Sequence, residues 1–441
     1  MLIANYKSLA RNPLRRKILQ IAEAGLQAIA VEDVVQKRCR LCRRGKKVYL
    51  SVRGSRTKLE IPLHKYRRVA LVGIGKGSAL AIATLSKILG KYLNTAIALD
   101  IRKPRARPPK VRFFTGSHPL PSPRNVAASR RIIKLAQGLG RNDLLLTFIC
   151  GGGSALFCGS AAELKYASLV FPKLTQAGAD IFQLNTVRKH LSPVKGGGFA
   201  RLAYPATVVS LIVSDVPGDN LSTIASGPTV FDATTRQEAE EILRQHGLYR
   251  QTKSALNETP KDKSVFRRVR NVLFLSNDDA LSAMARKARQ LRLRPQIASR
   301  KLAGEARKVF VSLLKKARAG RVVLAGGETT VTLKNAPRKA VPGKGGRNTE
   351  AVLGALSACS RRFAAGGVVI TSIASDGRDN AEAAGALADC ATLEAAKRQG
   401  LHPEDFLRRH DSFHFFAATG DLLFLKEQTF NVADFMLALA A

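Results

Sequence analysis

The chain is 441 residues long, 45% apolar and 24% charged, with 35 glycines, 18 prolines and no collagen-like period. That composition excludes a disordered or fibrous protein and supplies apolar mass for more than one core. Lysine and arginine number 73 against 32 acids, a formal charge of +41, but the cations run along the whole chain. Without a basic tail or stripe, the excess points no more to nucleic acid than to anionic metabolites in a cleft or to a general basic bias.

At the N-terminus, Arg11, Arg15, Arg16 and Lys17 precede an apolar stripe of Ile18, Ile21, Ala22, Leu26 and Ile29, which predicts an amphipathic helix. It lacks the h-region and cleavage site of a secretory signal, so a cytoplasmic protein is expected. Cys39 and Cys42 form one C-x-x-C, but the other four cysteines are scattered, so neither a zinc site nor a disulfide framework is expected. Every apolar stretch is broken well short of roughly 20 residues, so none is expected to span a membrane.

Beyond residue 68, apolar runs and helix-length segments alternate. Strands are predicted at 69–72, 95–99, 144–149, 208–213, 272–275, 322–324 and 368–373, and helices at 78–89, 125–139, 279–291 and 349–360. Strand–turn–helix repetition predicts parallel or mixed sheets flanked by helices. One sheet rarely absorbs such a length, so two Rossmann-like domains are expected, 1–255 and 256–441, with the polar stretch 251–270 near the boundary. Ligands bind beyond the carboxyl ends of such strands, which puts the expected active site in an inter-domain cleft.

The chemistry is carried by loops at strand ends. Gly73-Ile74-Gly75-Lys76-Gly77-Ser78 half-matches a dinucleotide fingerprint and opens a helix; Lys76 puts a cation where a polyphosphate or a carboxylate would sit, and Asp100 ends the next strand. Gly151, Gly152, Gly153 and Ser154 follow Cys150 as a backbone nest with a hydroxyl. Between Asn185 and Gly198, Arg188, Lys189, His190 and Lys195 crowd together as an anion clamp would. Asp215 and Asp219 follow a strand in SDVPGD, where an acid can hold a metal or accept a proton. The C-terminal half adds Glu328 in GGETT, Arg347 and Asn348 in GKGGRN, and Asp376 in SDGRD, with a loose loop at 335–347. Glycine donors, acids and an arginine at strand ends are what phosphoryl transfer needs.

This set resembles the class II glycerate 2-kinases, with a glycerate-kinase N-terminal domain and a MOFRL C-terminal domain. The matching stretches are GIGKGS at Gly73, GSHPLP at Gly116, DLLLTFICGGGSAL ending at Leu156, NTVRKHLSPVKGGGFA at Asn185, SDVPGD at Ser214, IASGPT at Ile224, GGETTVTL at Gly326, GKGGRNTE at Gly343 and SDGRDNAEAAGALAD at Ser375. The resemblance implies transfer of the ATP γ-phosphoryl group to the 2-hydroxyl of D-glycerate, with Mg²⁺. Carried over by motif, it implies Lys76, Asp215, Arg347 and Asp376 as catalytic residues. Gly75, Gly77, Ser78, Gly151 to Ser154, Arg188, Lys189, Lys195 and Asn348 would bind phosphate or substrate, and Glu328 with Asp376 would hold the metal. Small-molecule partners are expected, no specific nucleic acid and no membrane, and a homodimer is compatible.

Departures from the family pattern are Cys150, Ser122, Thr349 and Asn380, where serine, an acid, glutamine and glycine are usual. The largest is residues 425–434, where a threonine- and glycine-rich loop is reduced to Thr429, Asn431, Val432 and Asp434. A diverged paralogue with another hydroxy-acid substrate is one alternative. Some members carry the name hydroxypyruvate reductase; that alternative would use a nicotinamide at the Gly73 loop and Asp100, with His118 or His190 as proton donor.

Overall fold

The structure is a computed structural model that describes residues 1–333, 343–426 and 429–441. The backbone groups into two units. One contains Val34–Asp215 and Asp219–Leu275; the other contains Met1–Asp33, Val216–Gly218 and Ser276–Ala441.

The first, the parallel-sheet unit, opens with an antiparallel meander of β1 (Cys39–Arg44), β2 (Lys47–Arg53) and β3 (Lys58–Pro62). Val48, Leu50 and Val52 of β2 are buried and alternate with more exposed residues, the period-two pattern of a half-covered sheet. Cys39 and Cys42 stand three apart on β1 and so point to opposite faces, a spacing that cannot chelate one ion; burial pushes the Cys39 thiol up to about 12. Six strands follow: β4 (Arg68–Ile74), β5 (Thr95–Asp100), β6 (Val111–Thr115), β7 (Asp143–Ile149), β8 (Thr207–Val213) and β9 (Val269–Leu275). Their order is β6-β5-β4-β7-β8-β9, and every neighbouring pair is parallel. All seven residues of β7 are buried, as a central strand with both faces covered requires. The strand order reverses between β4 and β7, and in such sheets ligands bind beside the carboxyl ends of the strands at that switch point. GIGKGS and CGGGS are the loops that leave those ends.

The second, the mixed-sheet unit, contains β10 (Arg294–Leu302), β11 (Arg321–Gly327), β12 (Val368–Ala374), β13 (Gly385–Ala388), β14 (Leu422–Leu423) and β15 (Asp434–Ala440). Their order is β10-β11-β15-β12-β13-β14, with β15 antiparallel to both neighbours. The N-terminal helix Pro13–Gln27 packs its predicted stripe against helix Asn277–Gln290 and against β12 and β15. Within that helix Arg15 is fully buried; its guanidinium donates to Asp389 at 2.5 Å and to Asp421 at 2.7 Å.

The α/β class with parallel and mixed sheets flanked by helices is therefore as read from the sequence, but the compact units do not divide at 255/256. Residues 1–33 pack with the mixed sheet because their apolar stripe and Arg15 find partners there. The polar stretch 251–270 is no linker: it leads into β9, whose Val272, Phe274 and Leu275 are buried beside β8. Among the described residues, no helix is long and apolar enough to cross a membrane.

Candidate active site

In the parallel-sheet unit the chain leaves β4 through Gly75 and Gly77, at φ +109° and +84°, and enters helix Ser78–Leu89. The turn lies against the loop after β7. Lys76 N–H donates to the Gly151 carbonyl at 2.9 Å, Cys150 N–H to the Ile74 carbonyl at 2.8 Å, and a Cβ on Gly75 would sit 2.4 Å from the Cys150 oxygen.

The triple glycine has a steric cause at each position. A Cβ on Gly151 would meet Asp215 Oδ2 at 2.2 Å; on Gly152 it would meet the His118 ring at 3.0 Å and Lys76 Cγ at 3.3 Å; on Gly153 it would meet the Ala225 methyl at 2.6 Å. A carboxylate, an imidazole and a lysine stem thus converge on one strip of bare backbone. That is the inventory for orienting a hydroxyl beside a negatively charged group in transfer.

Beside the strip, Ser154 Oγ and Ser226 Oγ are 3.0 Å apart, Ser226 donates to Asn185 Oδ1 at 3.0 Å, and Arg188 Nη1 donates to the same oxygen at 3.3 Å. Ala225 and Ser226 hold φ of +50° and +59°, costing about 1 kcal/mol or more each, strain of the kind that clusters at binding sites. His118, Gly152, Ser154, Phe171 and Arg188 line a cavity of about 280 Å³, together with the paired Glu163 and Lys195. Arg188 lies 4.6 Å over the Phe171 ring and has no carboxylate partner among the described residues. Burial pulls its pKa below the ordinary guanidinium value, against the pull of the nearby Glu163 charge. A half-buried, unneutralised guanidinium at a cavity wall is a receptor for an anion.

Asn125 fixes the GSHPLP loop that carries His118. Its side-chain oxygen accepts from Ser117 N–H (2.9 Å) and Ser122 Oγ (2.9 Å), and its amide donates to the carbonyls of Ser117 and Ala155 at 3.0 Å.

Several expected ligand residues are turned inward. The Ser78 hydroxyl donates to the Leu99 carbonyl at 3.2 Å. Lys189 is buried against Asp232 at 2.9 Å. Lys195 pairs with Glu163 and donates to the Phe157 carbonyl at 3.0 Å, so its charge is already neutralised. His190 bridges Thr186 and Glu258. Asp100 is fully buried and accepts the amides of Ala79 and Ile101, so it caps the helix and cannot reach a ribose. Burial pushes its carboxyl up to about 6, against those amides.

In the mixed-sheet unit, β11, β15 and β12 are neighbours, and their shared edge carries Glu328, Asp434 and Asp376. The guanidinium of Arg347, first residue of helix Arg347–Ala358, donates to Asp434 Oδ2 at 2.5 Å and to Glu328. Burial opposes that charge, but the two acids outweigh it and raise the Arg347 pKa. Asp376 lies on the loop after β12, where Arg378 N–H donates to it at 3.2 Å. Asn348 is buried; it donates to Asp379, which also takes the Thr349 amide at 2.8 Å and so caps the helix. The role expected for Asn348 in phosphate binding therefore passes to helix capping. Of the expected loop 335–347, residues 335–342 lie outside the described residues, as do Glu427 and Gln428 of the C-terminal stretch.

Residues 17–259 match the model of a domain of unknown function, DUF4147, and residues 321–434 match the MOFRL family. The chain is 31% identical over 397 residues to the D-glycerate 2-kinase of Thermotoga maritima, covering 86% of this chain and 92% of that protein. The crystal structure of a glycerate kinase from that organism superposes with a TM-score of 0.79 at 28% identity, covering 97% of this chain and 99% of the other. The chain belongs to the class II glycerate 2-kinase family. A protein of Agrobacterium vitis that carries a hydroxypyruvate reductase name is 36% identical over 392 residues, covering 85% of this chain and 87% of that one.

For a family member, two features were not read from the sequence as site residues. Asp434, one of the few residues kept from the family's C-terminal loop, grips Arg347, and Asn185 with Ser226 ties Ser154 to Arg188. The signal for Asp434 was its survival in a stretch that otherwise diverged; nothing in the sequence paired Ser226 with Ser154. Of the expected metal pair, Glu328 is bonded to Arg347, while Asp376 stands on the loop after β12.

Proposed function

We propose that the protein transfers the γ-phosphoryl group of ATP to the 2-hydroxyl of D-glycerate, giving 2-phosphoglycerate and ADP. The observation that carries this reading is the convergence of Lys76, Asp215 and His118 on the Cys150–Gly153 backbone, beside a cavity whose guanidinium, Arg188, lacks a carboxylate. Arg188, backed by Asn185 and Ser154, takes the glycerate carboxylate. Asp215 orients the 2-hydroxyl and accepts its proton as the oxygen bonds to phosphorus. Lys76 and the amides of Gly151 and Gly152 balance the charge on the transferring group. Mg²⁺ carried by a triphosphate needs only one or two carboxylates; Glu328 is not offered as one.

The reductase alternative loses the acid meant for the ribose, because Asp100 is buried at a helix start, and of its two proton donors His190 is engaged elsewhere while His118 stands at the site. Phosphorus NMR of the full chain with ATP, Mg²⁺ and D-glycerate tests the reading. The resonance of 2-phosphoglycerate is expected, and Arg188→Gln should raise KM for glycerate about ten- to a hundredfold, the worth of a charge-assisted bond. Oxidation of NAD(P)H by hydroxypyruvate with no ADP formed would overturn it.

A further inference from the structure

The opposite end of the parallel sheet carries a second concave site. A cavity of about 360 Å³ lies at the amino edge of β4, β5 and β6, where the helix Pro123–Gln137 ends. Seven residues of β4 separate it from the Gly75 turn, roughly 20 Å at strand spacing. Its walls bring together Arg68, Arg112, Arg131 and Lys134 over an apolar floor of Leu135 and Leu139, and no carboxylate lines it.

Arg68 is accounted for. It donates to Asp143 at 2.5 Å and to the Gly138 carbonyl at 2.6 Å, which neutralises the negative end of the helix. Arg112, Arg131 and Lys134 are exposed and form no ion pair among the described residues. Arg131 and Lys134 are three apart on one helix face, a placement that sets like charges against each other. Like charges kept around a hollow raise its potential and are relieved by an anion. The volume is that of a small-molecule site and the floor is apolar.

From these observations we infer that this cavity is a binding site, separate from the glycine loops, for a small organic anion with a phosphoryl or carboxylate head and an apolar body. The head lies among Arg112, Arg131 and Lys134, and the body lies on Leu135 and Leu139.

Phenyl phosphate is the probe, and acetylation of Lys134, followed by peptide mass spectrometry on the full chain, is the readout. Saturating phenyl phosphate should slow acetylation of Lys134 about fivefold or more. The protection should persist in Lys76→Ala, disappear in Arg112→Glu/Arg131→Glu, and fail with phenol. Both exchanged arginines are exposed, so the double variant should keep the wild-type circular dichroism, and Arg131→Gln alone should weaken the protection. Equal Lys134 reactivity with and without the probe, or protection that survives in the double variant, would overturn the site.

Discussion

Lys76 reaches over Gly152 from a turn that its own backbone N–H ties to Gly151. Removing its side chain leaves that bond and both glycine conformations in place. Lys76→Ala should therefore lower turnover about a hundred- to a thousandfold, far more than it lowers stability in urea denaturation; a large loss of stability with retained turnover would count against the role given to it. Lys76 was expected at the site from its place between two glycines of a loop that opens a helix, and the structure sets it beside Gly151 and Gly152, far along the chain. The inward turn of Ser78, Lys189, Lys195 and Asn348 was not legible, because their partners lie 21, 43, 32 and 31 residues away. A local motif announces a polar residue; only the distant partner decides whether it faces a ligand or the interior.

At the scale of elements, apolar runs made most strands of the parallel sheet readable, the edge strand β9 included, while β6, β10, the meander and β13 to β15 were not read, although β15 is central and buried throughout. β10, RPQIASRKL, is half-exposed along its length, and the charged meander β1 to β3 buries one face only. The glycine loop after β7 gives a direct test of how closely elements meet. In Gly151→Ala the new methyl must displace the Asp215 carboxylate, whose Oδ2 would lie 2.2 Å away. Gly151 has no left-handed φ to strain, so folding should be nearly unchanged while kcat falls about a hundredfold, as a misplaced catalytic group predicts. The start of helix Ser78–Leu89 supplies a pH dependence. Unfolded, Asp100 loses its proton near 3.8; folded, burial keeps the proton until about 6. Between these values the native state binds more protons, so stability is full below about 4 and declines as pH rises through about 6, by up to about 3 kcal/mol. Chemical denaturation from pH 4 to 7 should show this slope, and Asp100→Asn should flatten it.

In the whole molecule, Arg15 joins the first long helix to the mixed sheet's surroundings through Asp389 and Asp421, all three buried. Arg15→Met leaves two carboxylates without their cation and should cost about 3–5 kcal/mol, read as an earlier urea transition of the mixed-sheet unit. Local polarity put a boundary near residue 255, close to where the DUF4147 match ends at residue 259, while a stripe at residues 18–29 names no partner by itself. The last strand gives this arrangement a temporal side. β15 sits third in its sheet, hydrogen-bonded on both edges, and the helix made near the start of synthesis rests against it. While a ribosome still holds residues 434–440, β11 and β12 lack the strand that joins them, and the early helix lacks its seat. The parallel sheet needs nothing beyond residue 275 and can close before residues 434–440 are made, whereas the mixed sheet waits for them, so protease added to nascent chains stalled ahead of residue 434 should find residues 34–275 protected and residues 1–33 still open to cleavage.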